Sequence, residues 1–244
     1  MATDLDRTRR GFLRASLVAG TGLAVAGCAT SGTGTAKHED HGTAPAGAGG
    51  EDDVSPGEDL MREHGVLNRV LLVYEECARR IDAKQDLNPE PLADAARIVR
   101  TFIEDYHEKL EEDHLFPRYR AAGKLVDLVD VLTAQHRAGR RVTERIEALA
   151  TLRSLRDPDE SRELVVRIRQ FVRMYRPHEA REDTILFPVL HQIVSRNEYD
   201  ALGEDFERIE HKQLGEEGFV RAVERVAQIE KKLGIYDLAQ FTPA

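Results

Sequence analysis

The undecapeptide HEKLEEDHLFP at residues 107–117 returns as HEAREDTILFP at 178–188, with His, Glu, Glu, an acid, Leu, Phe and Pro at the same offsets. The repeated unit is larger than eleven residues. His64 and His136 also correspond, each followed at +5 by Arg (Arg69, Arg141) and at +6 by Val (Val70, Val142). His64 lies 43 residues before His107 and His136 lies 42 before His178, the spacing expected of a duplicated helical hairpin.

From residue 58 onward apolar positions recur at three and four residues, with no alternating stretch long enough for a sheet, so the fold class is all-α. The first helix carries Leu60, His64, Leu67, Leu71, Tyr74, Ala78 and Ile81 on one stripe, and DLNPEP ends it. The second, about 91 to 119, aligns Leu92, Ala96, Val99, Ile103, His107 and Glu111. The third, about 124 to 152, aligns Leu125, Val129, Leu132, His136, Gly139, Thr143 and Ile146. The fourth aligns Leu164, Ile168, Phe171, Tyr175, His178, Glu182, Ile185 and Val189, and a further helical region over about 197–233 breaks near QLGEEGF.

With a rise of about 1.5 Å per residue, the path from His64 to its helix end is roughly 27 Å and the return to His107 roughly 24 Å. The other hairpins close similarly. In an up-down four-helix bundle the four imidazoles therefore share one level. Glu111 and Glu182 each follow a His by four residues and lie on the same helix face. Six buried polar groups without partners would each cost about 1–3 kcal/mol, comparable in sum to the stability of a domain, and bound metal removes that penalty. Imidazole with carboxylate suits iron, manganese or zinc.

The N-terminal segment is a targeting element rather than part of the fold. TRRGFLRAS precedes twelve mostly apolar residues, too few to span a bilayer as a helix, and its Arg9-Arg10 pair resembles the twin-arginine export signal. VAGC, ending at Cys28, resembles the lipobox of bacterial lipoproteins, which implies lipidation at Cys28, a membrane anchor and an extracytoplasmic location. Residues 29–56 are rich in Gly, Ala, Thr and acids and read as a flexible linker, with His38 and His41 as solvated linker residues; the domain is expected over 57–235, followed by a tail over 236–244. Beside Cys28 only Cys77 remains, so no disulfide within the domain is available. Removing the basic leader takes the net charge from −9 to −11, which argues against nucleic acid as a partner.

The pattern His64, His107 with Glu111, His136, and His178 with Glu182 resembles that of the hemerythrin-like, or HHE cation-binding, family over about residues 57–235. The resemblance implies a centre of two non-haem iron ions, oxo- or hydroxo-bridged, with the imidazoles as terminal ligands and the two Glu bridging. It further implies a small ligand such as dioxygen, peroxide or nitric oxide, or the sensing of oxygen or iron. A di-iron oxidase or peroxidase acting on hydrogen peroxide or ferrous iron is the alternative.

The chain departs from oxygen-carrying members at Arg140, where they have a second His, and by offering both Glu182 and Asp183 where they have an Asp. One further ligand is conceivable, with Glu108 and His211 as candidates. ExxH spacings at Glu104–His107 and Glu111–His114 lie on one helix and are not a ferritin-type pair, and His191 reads as a helix-end residue. Tyr74, Tyr106 and Tyr175 either line the site or pack the core.

Overall fold

The computed structural model describes residues 54–243; the expected export signal, Cys28, His38 and His41 lie outside them. Among the described residues all regular structure is helical. Helix α1 spans Pro56–Asp82, and Ser55 starts it by accepting the Glu58 N–H at 3.3 Å, with acids in the first turn and arginines in the last. Helix α2 is one continuous rod over 90–122. In it the α-helical stretches Glu90–Ile98, Glu108–Leu110 and Phe116–Ala122 alternate with wide π-helical turns at Val99–His107 and Glu111–Leu115. Gly123, at φ 60°, ends the rod in a left-handed conformation that costs glycine little.

Helix α3 spans Val126–Leu149, and a single turn at Leu152–Arg156 leads into α4. Helix α4 is a rod over 158–193, built from Pro158–Arg181, a π-helical turn at Glu182–Leu186, and Phe187–Ile193. α1 packs against α2 and α4, and α3 packs against α2 and α4, which closes an up-down ring of four helices. Helices α5 (Arg196–Leu214) and α6 (Gly218–Leu233) form the additional C-terminal segment, parted at residues 215–217. α6 lies against α1 and α2, where Arg69 holds Glu230 through two hydrogen bonds of 2.9 and 2.5 Å. No helix among the described residues is long and apolar enough to cross a membrane.

The repeated Leu-Phe-Pro has a mechanical explanation. Pro117 and Pro188 sit inside continuous rods, where each lacks an N–H and its ring would press on the carbonyl four residues back. One residue earlier the ladder widens: the Phe116 N–H donates to the Glu111 carbonyl, and the Phe187 N–H to that of Glu182, each spanning five residues. The wide turn advances the register by one residue, which corrects the expected fourth stripe. Ile185, placed inward by a strict 3.6 period, is 42% exposed, and Leu186 takes the core position with no exposure. The remaining inward positions of α1 and α2 are buried except Ile81, which is partly so.

One close approach needs glycine. A Cβ on Gly139 would lie 2.0 Å from the hydroxyl oxygen of the buried Tyr175. Gly139→Ala is therefore expected to destabilise the bundle by about 1–3 kcal/mol through overpacking, read as a lowered urea midpoint with unchanged slope.

Candidate metal centre

The four bundle helices bring the histidines together in two facing pairs. His64 Nε2 lies 3.1 Å from His107 Nε2, and His136 Nε2 lies 3.2 Å from His178 Nε2. All four rings are buried. Each outward nitrogen is held by an oxygen acceptor: His64 Nδ1 by Asp183 at 2.7 Å, His107 Nδ1 by Glu63 at 2.7 Å, His136 Nδ1 by Glu112 at 3.1 Å and His178 Nδ1 by the Gln135 carbonyl at 2.9 Å. An oxygen acceptor requires the proton on Nδ1, so in neutral rings the four Nε2 lone pairs point inward.

The two carboxylates lie between the pairs. Glu182 Oε2 is 3.4 Å from His64 Nε2 and 3.1 Å from His178 Nε2, while Glu111 Oε2 is 3.8 Å from His107 Nε2 and 3.4 Å from His136 Nε2. Each Glu thus touches one imidazole of each pair. Both oxygens of Glu111 and both of Glu182 are buried without a hydrogen-bond partner. His64, His107 and Glu111 converge within 4.8 Å, as do His136, His178 and Glu182. Six inward lone-pair donors in two sets, with carboxylates that lie against both histidine pairs and are otherwise unsatisfied, fit cation binding.

The electrostatics favour positive charge at this level of the bundle. Burial alone would depress the His64 imidazole, but Asp183 and Glu182 hold it well above its ordinary value. His136 is raised to about 10: burial opposes protonation, and Glu108, Glu111 and Glu112 overcome it. Burial pushes the Glu111 carboxyl up, reinforced by the charge of Glu182. Glu182 goes the other way, since its burial is outweighed by the His178 and His64 rings, which hold it well below the usual range. Protons and metal cations compete for these same sites.

The acceptors Glu63, Glu112 and Gln135 were not singled out from the sequence. Their signal was adjacency. Glu63 and Gln135 each precede a His of the set, whereas Glu112 and Asp183 each follow a Glu of the set. In each hairpin the first pattern serves that hairpin's second His and the second pattern serves the first His of the other hairpin. The two aromatic rings of Leu-Phe-Pro complete the enclosure: Phe187 stacks on His64 with centroids 5.6 Å apart, and Phe116 on His136 at 5.5 Å.

Of the two extra candidates, Glu108 is buried and faces other partners. It accepts the Tyr175 hydroxyl at 2.6 Å and forms an ion pair with the Arg140 guanidinium at 2.7 Å, though it also lies within 4.8 Å of ligand atoms of Glu112 and His136. His211, in the last turn of α5, joins none of the clusters among the described residues. Glu104 is buried and paired with Arg100, His114 meets Phe206 edge-on, and His191 is exposed near the end of α4. Tyr106 donates to Glu63 at 3.2 Å and so steadies the acceptor behind His107. Tyr74 sits in the core against Phe171, its hydroxyl unpaired.

Fold and site together define a helical bundle with buried His and Glu clusters at its centre that fit cation binding. The family model for the hemerythrin HHE cation-binding domain matches residues 55–190 and again 128–240, and the chain belongs to that family. It is similar to uncharacterized proteins of Mycobacterium bovis (Mb2018) and Mycobacterium tuberculosis (Rv1995), 49% identical over 192 residues that cover 78% of this chain and 75% of each relative. No solved structure matches it significantly.

The geometry generates a mutational test. His64→Ala or His178→Ala should lower bound metal to about half or less, and His114→Ala or His191→Ala should leave it intact, by elemental analysis of purified protein. Glu63→Ala, which removes the acceptor behind His107 along with that of the Tyr106 hydroxyl, should weaken metal affinity by about 10–100-fold.

Proposed function

We propose that the chain is a di-iron protein in which His64, His107, His136 and His178 are terminal ligands and Glu111 and Glu182 bridge the two ions. The observation that carries this reading is the facing of Nε2 atoms at 3.1 and 3.2 Å with every Nδ1 held from behind. Iron in this setting supplies reversible coordination of dioxygen, peroxide or nitric oxide. The chain's own residues orient the rings through their Nδ1 bonds, exclude bulk water with Phe116 and Phe187, and neutralise the metal charge with the two buried carboxylates.

Arg140 supports small-ligand binding or sensing ahead of oxygen carriage. It occupies the place of the additional imidazole found in oxygen carriers and turns to carboxylates, with one nitrogen 2.8 Å from Glu112 and another 2.7 Å from Glu108. Both ions therefore have two imidazoles each in this assignment. Iron-loaded protein should show a reversible visible-region change with dioxygen or nitric oxide that Glu111→Ala abolishes. Sustained turnover of hydrogen peroxide or ferrous iron, also lost in Glu111→Ala, would instead make the protein an oxidase or peroxidase.

The leader completes the proposal: export by the twin-arginine route and lipidation at Cys28 would place the bundle at the outer face of a bacterial cytoplasmic membrane or beyond. In cell fractionation the natural protein is expected with membranes, and Cys28→Ala in the soluble extracytoplasmic fraction. Equal membrane association of both would remove the anchor.

A further inference from the structure

A cleft of about 460 Å3 opens between α2 and α3, directly outside the His136 side of the centre. Four of the side chains lining it are cationic, Lys109, Arg120, Arg137 and Arg140, in a chain whose net charge is −9. Its inner wall is made by Glu112 and Phe116, the two residues that respectively bond and stack on His136. The Thr133 hydroxyl, on the α3 side, donates to the Val129 carbonyl at 2.7 Å and accepts from Arg120 at 3.2 Å.

The cations are held loosely. Lys109 Nζ lies 2.6 Å from Glu112 and Arg120 lies 2.9 Å from Asp130, but these pairs are half-exposed, and such pairs contribute only about 0–1 kcal/mol. Arg140 divides itself between Glu112 and Glu108. Arg137 is exposed and has no ion-pair or hydrogen-bond partner among the described residues. Glu112 meanwhile accepts from Lys109, Arg140 and His136 at once. An anion with several oxygens could take over Lys109 and Arg140 from Glu112 while gaining Arg137 outright, and guanidinium forks suit phosphate oxygens.

We propose that this cleft binds a phosphate-type oxyanion, free or carried on a small ester, and that the bound anion acts on the adjoining metal position through Glu112 and His136. Drawing Lys109 and Arg140 away leaves His136 as the main donor to Glu112. The His136 Nδ1–H bond then strengthens, and its Nε2 becomes a better donor to a cation. Linkage requires the reciprocal effect: a cation on His136 polarises that N–H, engages Glu112 more firmly and frees the cleft cations for the anion.

The binding half of this proposal stands on the cleft alone, and the coupling half rests on the metal assignment. Calorimetric titration of the full chain with inorganic phosphate and with glycerol phosphate, metal-free and zinc-loaded, separates them. Saturable one-site binding is expected, weakened about tenfold in Arg137→Gln and unchanged in Arg162→Gln, an exposed arginine beside a second groove lined in part by the loop after α1. The tighter of the two probes identifies the source as free or esterified phosphate. Unsaturable binding, or equal loss in both variants, would overturn the site. Zinc-loaded protein should bind the anion several-fold more tightly than metal-free protein. Equal affinity in the two states would overturn the coupling, whereas failure to take up zinc at all, with phosphate binding intact, would refute the metal assignment and leave the cleft standing.

Discussion

Imidazole has two nitrogens, and this bundle is organised around occupying one of them so that the other is committed. Glu63, Glu112, Asp183 and Gln135 hold the four Nδ1 atoms, which turns four Nε2 lone pairs toward one another in a dry interior. Lone pairs facing at about 3 Å repel unless a proton or a cation lies nearby, so the arrangement is favourable only as a receptor for positive charge. The unpaired oxygens of Glu111 and Glu182 reinforce this, because a buried carboxylate without donors is costly.

The same groups tie the two hairpins together. Glu111 and Glu112 on α2 reach His136 on α3, while Glu182 and Asp183 on α4 reach His64 on α1, so each adjacent acid pair serves the opposite hairpin's first histidine. Duplication explains the pseudo-symmetry, and its breaks are informative. Glu63 carries charge where the corresponding Gln135 carries none, and Tyr175 stands where the other repeat has Glu104. The cleft with Arg137 and Arg140 opens on the His136 side. The two histidine pairs are thus chemically unlike: one is backed by two carboxylates, the other by an amide and by a carboxylate already shared with two cations.

Much of the centre was legible because it obeys helical spacing. His107 with Glu111, and His178 with Glu182, share a face by being four residues apart, and equal lengths of chain on either side of each turn bring four rings to one level. Two things escaped that logic. The Nδ1 acceptors sit one residue away from the inward positions, about 100° around the helix, where Glu63 is buried and Glu112, Gln135 and Asp183 are only partly so. The wide turns at Glu111–Leu115 and Glu182–Leu186 break the 3.6 period itself, which is why Ile185 faces out and Leu186 in. Pro117 and Pro188 each follow one of those turns closely, but a proline alone does not mark one, since Pro177 sits within the ordinary α-helical stretch Pro158–Arg181 of the same rod as Pro188.

Anomalous diffraction at the iron edge from crystals of the iron-loaded chain tests the central claim most directly. Two peaks per chain are expected inside the bundle, each within coordination distance of two of the four Nε2 atoms, with an oxygen of Glu111 and of Glu182 on both. A single peak, coordination through Nδ1, or iron held only by surface acids would contradict the account.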